Sequence, residues 1–239
     1  MAATLRKTLQ TIEDYKINSP QYADLLDILA EILILREGYR QSMKEPIFSV
    51  EEKLIPGKMA GGLPLIDISG KKYDLTRPRE YFYSLVAVAQ RRMPQEAHKF
   101  FDIVNDELFD WEKITLATFN PVPAEDEIIR ADLRKSEGDE EQIDLIDLFI
   151  EESLRPELEA ISEQYGPAIE KLHWDEGYCP VCGKEPKIGE MREGEDGNRY
   201  LFCHQCGYKW RFRQIKCPFC GNEEQHSLAY FAVEGEESR

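Results

Sequence analysis

Apolar residues recur at helical spacing through the first two thirds of the chain. Tyr22, Leu25, Leu26, Leu29, Ile32 and Leu33 follow one another at such intervals, with Asp24, Asp27 and Glu31 between them. This is the signature of a helix with one buried stripe. Pro20 stands at its first position and Gly38 at or near its end. A shorter helix is predicted over 50–54. Residues 57–70 hold several glycines and Pro64 and read as an irregular connection, with a short extended piece over 63–68. Helical spacing resumes over 79–91, where Phe82, Leu85, Val86 and Ala89 share a face. Behind Pro94 it continues over 95–111, with Phe100, Phe101, Val104 and Leu108 as the stripe. Residues 120–123 make a connection, 124–135 a helix and 136–141 an acidic loop. Ile143, Ile146, Ile150 and Leu154 mark a further helix. Pro156 opens the next, which carries Leu158, Ile161 and Tyr165 until Gly166-Pro167 interrupts it. These stripes are the candidate core. Residues 1–12 mix Arg6 and Lys7 with polar side chains, and no element is predicted there.

After His173 the period changes from helical to alternating. Residues 186–191 and 199–202 are predicted to pair as strands around a glycine-containing polar turn at 194–198. Tyr208, Trp210, Phe212 and Ile215 alternate with Lys209, Arg211 and Arg213, which predicts a third strand with one buried face. Three short strands have too little core to hold themselves together.

The cysteines supply what the core lacks. All six lie beyond residue 178, in three Cys-x-x-Cys pairs each followed by glycine. Cys179 and Cys182 form the first pair, and Cys203 and Cys206 the second, twenty residues further on. That spacing is the one by which two knuckles place four thiolates around a tetrahedral metal. Four thiolates suit zinc and equally a single iron. Cys217 and Cys220 make a third knuckle, half of a second site. His226 is a possible third ligand there but is read as a non-ligand, as are His204, His173 and His98. A thiol-redox role is the rival reading of these pairs, and a rubredoxin-like electron-transfer protein is the alternative if the four thiolates hold iron. The fold class is α+β: a helical domain over 1–172, a rubredoxin- or zinc-ribbon-like module over 173–216, and an incomplete second ribbon over 217–239.

Charge narrows the function. The net charge is -16, from 30 basic and 46 acidic side chains, a field that repels phosphate backbones and anionic membranes. The counter-argument is local: Lys209, Arg211, Arg213 and Lys216 interleave with aromatic residues, a pattern able to hold single-stranded nucleic acid. No apolar run reaches the length of a membrane span, and the N-terminus lacks an export signal's apolar stretch. With thiol pairs spaced for metal rather than disulfides, a cytoplasmic protein is expected. No phosphate loop, nucleophile motif or His-Glu-x-x-His is present, so catalysis is not expected. An exposed apolar helix face would support a homodimer.

The order of these motifs resembles the FdhE family, the formate dehydrogenase accessory proteins. The residues that carry the resemblance are Cys179-Pro-Val-Cys-Gly, Arg199-Tyr-Leu-Phe-Cys-His-Gln-Cys, the strand with Trp210, and Ile215-Lys-Cys-Pro-Phe-Cys, behind a helical region that includes Gly62-Leu-Pro-Leu. The resemblance implies an assembly factor that binds a formate dehydrogenase catalytic subunit. It also implies paired rubredoxin-like sites able to carry iron, with Cys179, Cys182, Cys203 and Cys206 in the first. Family members usually carry a fourth Cys-x-x-Cys after the segment matching residues 230–233. This sequence has none, so the second site is expected to be incomplete.

Overall fold

The computed structural model describes residues 3–66, 73–94, 97–107, 109–119, 140–191 and 199–227. In chain order the helices are α1 (Ala3–Asn18), α2 (Ala23–Ser42), α3 (Ile55–Ala60), α4 (Thr76–Arg92), α5 (Ala97–Val104), α6 (Trp111–Phe119) and α7 (Glu140–Ile169). The strands are β1 (Ile188–Met191), β2 (Arg199–Phe202) and β3 (Lys209–Phe212). The chain divides into two compact units: Met1–Ser49 with Asp67–Ile161, and Val50–Ile66 with Ser162–Arg239.

The first unit is helical, and its core follows the stripes predicted beyond residue 79. Tyr81, Phe82 and Leu85 of α4, Phe100 of α5, and Ile143, Ile146, Ile150, Leu154 and Leu158 of α7 are essentially solvent-free. The α7 stripe runs unbroken past Pro156 and Gly166-Pro167. The expected start at Pro156 and break at 166–167 are therefore corrected to one continuous helix. A proline inside a helix removes one hydrogen bond and crowds the preceding turn. Burial of Ile150, Leu154 and Leu158 on either side outweighs that local penalty.

The α2 stripe behaves differently. Leu25 and Leu29 are exposed, and no residue of α2 is fully buried. What ties the helix down is polar. The Arg36 guanidinium donates to both Glu152 oxygens at 2.6 and 2.7 Å, and Arg40 donates to Glu159 at 3.0 Å. The Tyr39 ring lies 4.5 Å from the Tyr81 ring, whose hydroxyl donates to Glu152 at 3.1 Å. These contacts straddle Gly38, so the helix continues through it to Ser42 rather than ending there. Burial pushes the Glu157 carboxyl above its usual range, against the opposing pull of the Ile47 N–H and Arg77.

One helix was not foreseen, and two further expectations are corrected. Residues 3–18 form α1, with Ile12 buried; Leu5, Leu9 and Ile12 carried the helical spacing that signalled it. The 95–111 segment is not one element, because α5 ends at Val104 and α6 begins at Trp111. The expected helix over 50–54 is a 3-10 turn, Glu52–Leu54, leading into α3, which occupies part of the presumed irregular stretch. The helix expected over 124–135 lies outside the described residues.

In the second unit the sheet order is β1-β2-β3, antiparallel throughout. Register sets Tyr200 opposite Arg211 and Leu201 opposite Trp210. Leu201, Trp210 and Phe212 are buried on one side, and Tyr200, Phe202, Lys209 and Arg211 share the other. This is the two-faced third strand the alternation predicted, shorter at both ends. The turn expected at 194–198 lies outside the described residues.

Candidate metal centre

Each knuckle is built from the same local rules. In the first, the Gly183 N–H donates to the Cys179 carbonyl at 2.9 Å, and the Cys179 N–H to the Lys184 carbonyl at 2.9 Å. Gly183 has φ of 76°, a left-handed conformation that favours glycine at the end of such a turn. The second knuckle repeats this: Gly207 N–H to the Cys203 carbonyl at 3.0 Å, Cys203 N–H to the Tyr208 carbonyl at 2.9 Å, and φ of 69° at Gly207. Backbone amides also turn towards sulfur. Val181 N–H donates to Cys179 Sγ at 3.4 Å, and Cys206 N–H to Cys203 Sγ at 3.5 Å. Such bonds delocalise thiolate charge.

The two knuckles converge. Cys179, Cys182, Cys203 and Cys206 are all buried, with their sulfurs within 4.8 Å of one another. Cys179 and Cys206 sulfurs stand 3.5 Å apart, and those of Cys182 and Cys203 3.4 Å apart. A disulfide bond is about 2.05 Å long, so these are separate thiols. Sulfurs on a tetrahedron about 2.3 Å from a central metal lie about 3.8 Å from each other, close to the spacing found. Burial pushes the Cys179 thiol up, and the neighbouring sulfurs do the same first for Cys182. Cys203 is drawn the other way by hydrogen bonds from the other three. Four thiolates this close and this dry need a cation to neutralise them. The four cysteines are thus positioned to bind a metal ion, and the donor set accepts zinc or iron alike.

A distant segment braces the first knuckle. Leu65 N–H donates to the Pro180 carbonyl and Ile66 N–H to the Val181 carbonyl, both at 2.9 Å. Tyr178 Oη donates to the Gly62 carbonyl at 2.7 Å, while Trp174 Nε1 donates to the Tyr178 carbonyl at 2.8 Å. The Gly62-Leu-Pro-Leu stretch therefore clasps the turn that carries Cys179 and Cys182. An extended piece over 63–68 was expected from sequence, and its target was not readable. A contact across more than a hundred residues leaves no local periodicity.

Cys217 and Cys220 lie apart from the four-sulfur cluster, yet their knuckle has the same backbone. Gly221 N–H donates to the Cys217 carbonyl at 3.0 Å, Cys217 N–H to the Asn222 carbonyl at 2.8 Å, and Gly221 has φ of 70°. Cys220 is exposed and Cys217 half-buried. None of His98, His173, His204 and His226 joins a metal-sized cluster among the described residues. His98 instead pairs with Asp102 at 3.0 Å.

The third knuckle rests on Gly177. A Cβ there would stand 1.8 Å from the Pro218 carbonyl oxygen and 2.7 Å from its carbon. Gly177→Ala is expected to push the third knuckle off this support and to destabilise the unit by about 1–3 kcal/mol, the usual cost of overpacking. Amide shifts at 217–221 together with a denaturation midpoint measure it. An unchanged spectrum and midpoint would show that the approach is looser than the geometry demands.

Comparison with known proteins places this centre. Residues 178–214 match the central domain of FdhE. The "Protein FdhE homolog" of Aquifex aeolicus (strain VF5) is 26% identical over 226 residues, covering 93% of this chain and 72% of that protein. The crystal structure of the FdhE protein from Pseudomonas aeruginosa is similar at a TM-score of 0.49 and 20% identity, over 98% of this chain and 73% of that one. The chain is thus similar to an FdhE homolog along 93% of its length, and residues 178–214, which hold both knuckles of the buried four-cysteine cluster, match the FdhE central domain.

Proposed function

We propose that this protein is a formate dehydrogenase accessory factor. It binds the enzyme's catalytic subunit in the cytoplasm and assists its maturation, without catalysing a reaction itself. The observation that carries the reading is the FdhE central domain, laid over a buried four-cysteine cluster. In this reading Cys179, Cys182, Cys203 and Cys206 hold one zinc or iron ion, and Cys217 with Cys220 supplies half of a second site. The metal's part is structural: it fixes the two knuckles, and with them the sheet, as a rigid module. Residues 173–216 are the metal-holding part of the unit formed by Val50–Ile66 and Ser162–Arg239, and 217–239 supply the partial second ribbon. No described helix is long and apolar enough to cross a membrane. The exposed strip of Tyr22, Leu25 and Leu29 offers a surface for a homodimer.

The test is retention of a formate dehydrogenase catalytic subunit on the immobilised, metal-loaded protein. Binding is expected with the unaltered chain, and at least tenfold less with Cys182→Ser, since loss of one thiolate ligand loosens the module. Retention that is absent, or identical for both proteins, would sink the proposal. Metal analysis of the same preparation decides between zinc and iron.

A further inference from the structure

A cleft of about 720 Å³ runs along β3 in the second unit, lined by Ile169, Glu170 and 172–175 and by residues 208–214 of the strand and its ends, with Arg199 and Tyr200 of β2. Among the described residues β3 is an edge, since the sheet order is β1-β2-β3. The bond from Cys203 N–H to the Tyr208 carbonyl marks a hydrogen-bonded pair. In an antiparallel ladder such pairs alternate. Trp210 and Phe212 therefore point their backbone groups at β2, and Lys209 and Arg211 point theirs into the cleft. Among the described residues, no backbone bond outside the sheet is made by Lys209 or Arg211.

The charge of the cleft opposes that of the protein. Arg199, Lys209, Arg211 and Arg213 line it against two acids, Glu170 and Asp175, in a chain of net charge -16. Asp175 is already held by Arg213 at 2.8 Å and lies 3.7 Å from Lys216. Lys209 Nζ lies 4.3 Å from the centre of the Tyr200 ring and 3.4 Å from Glu190. Arg211 is exposed.

We propose that this edge docks an extended acidic peptide segment of a partner protein as an added β-strand. Backbone groups of Lys209 and Arg211 pair with the peptide's own. Acidic side chains on alternate peptide residues meet Lys209 and Arg211, and the residues between them fall on the side of Trp210 and Phe212. Two other occupants fit less well. A second copy pairing through its own β3 sets Lys209 and Arg211 against each other, which like-charge repulsion opposes. Nucleic acid offers no backbone partner for a strand edge and meets the field of an acidic protein. The accessory reading supplies only the owner of the peptide. The docking mode stands on the strand and the cleft alone.

The probe is a fluorescent synthetic octapeptide alternating valine and glutamate, titrated into the metal-loaded full chain by anisotropy. A valine–lysine peptide and a single-stranded oligouridylate serve as controls. Saturable binding of the glutamate peptide is expected, weakened about fivefold by Arg211→Gln. Arg211→Pro, which also deletes an outward N–H without touching the β2 ladder, is expected to weaken it further. The binding-specific readout is amide exchange: the Lys209 and Arg211 amides slow by at least about tenfold with peptide, while Trp210 and Phe212 do not change. The proposal is overturned if the lysine peptide binds equally well, if the RNA binds more tightly, or if binding leaves those two amides unprotected. It is also overturned if they become protected by raising protein concentration alone, which would assign the edge to a second copy. Because no formate dehydrogenase is present, failure here is separable from failure of the accessory role.

Discussion

Stripping the metal with a strong chelator under reducing conditions is expected to unfold the cysteine-bearing unit and leave the helical unit intact. The size of the effect follows from how little else holds the knuckles. The sheet is three strands of four residues each, and its buried apolar side chains are Leu201, Trp210 and Phe212. Structural zinc contributes about 10–16 kcal/mol in small cysteine-rich folds, more than the total stability of many domains. Without it, four buried sulfurs must either share protons or repel one another. Cys203→Ser is expected to reproduce much of the loss, because a neutral hydroxyl is a poor ligand for a soft site. The measurement is amide exchange resolved by segment. Protection across 188–191 and 199–212 should disappear with the metal, while that across 76–92 stays. Retained protection in the sheet after complete metal removal would show that the knuckles fold on backbone and packing alone. Acid should act in the same direction, since the ligands bind as thiolates and protons compete for them.

What the sequence made legible was whatever is local. Cys-x-x-Cys-Gly encodes its own turn, so three knuckles were visible, and the spacing of the first two announced their convergence. The alternation over 208–215 encoded a strand with two unlike faces. The stripe of α7 was legible too, yet its prolines suggested breaks that burial overrode. What stayed hidden depends on partners far along the chain. Nothing local marks Gly62 to Ile66 as the brace of the first knuckle, or Gly177 as the seat of Pro218. The α2 leucines misled for the same reason. Their spacing promises a buried face, whereas Arg36, Tyr39 and Arg40 decide how the helix is held, and an ion pair with Glu152 has no signature in either local sequence.

That contrast between α2 and α4 fixes the other large effect. Phe82→Ala is expected to destabilise the helical unit by about 3–5 kcal/mol, the range for removing a fully buried aromatic ring. Phe82 is 0% exposed, and its ring faces those of Phe109, Trp111 and Phe149 at 6.0, 6.2 and 6.4 Å. It therefore joins α4 to the segment before α6, to α6 itself and to α7, three pieces of chain gathered into one aromatic cluster. Truncation would empty the centre of that cluster, and rings held by one another cannot collapse to refill it. Leu25→Ala provides the control. Leu25 is 63% exposed despite its place in an apolar stripe, so its loss should change stability by no more than about 0.5 kcal/mol. Thermal or urea unfolding, followed by far-UV circular dichroism, compares the two. Equal losses would mean that the α2 stripe is buried after all, and that helical periodicity located the core more faithfully than the ion pairs of Arg36 and Arg40 allow.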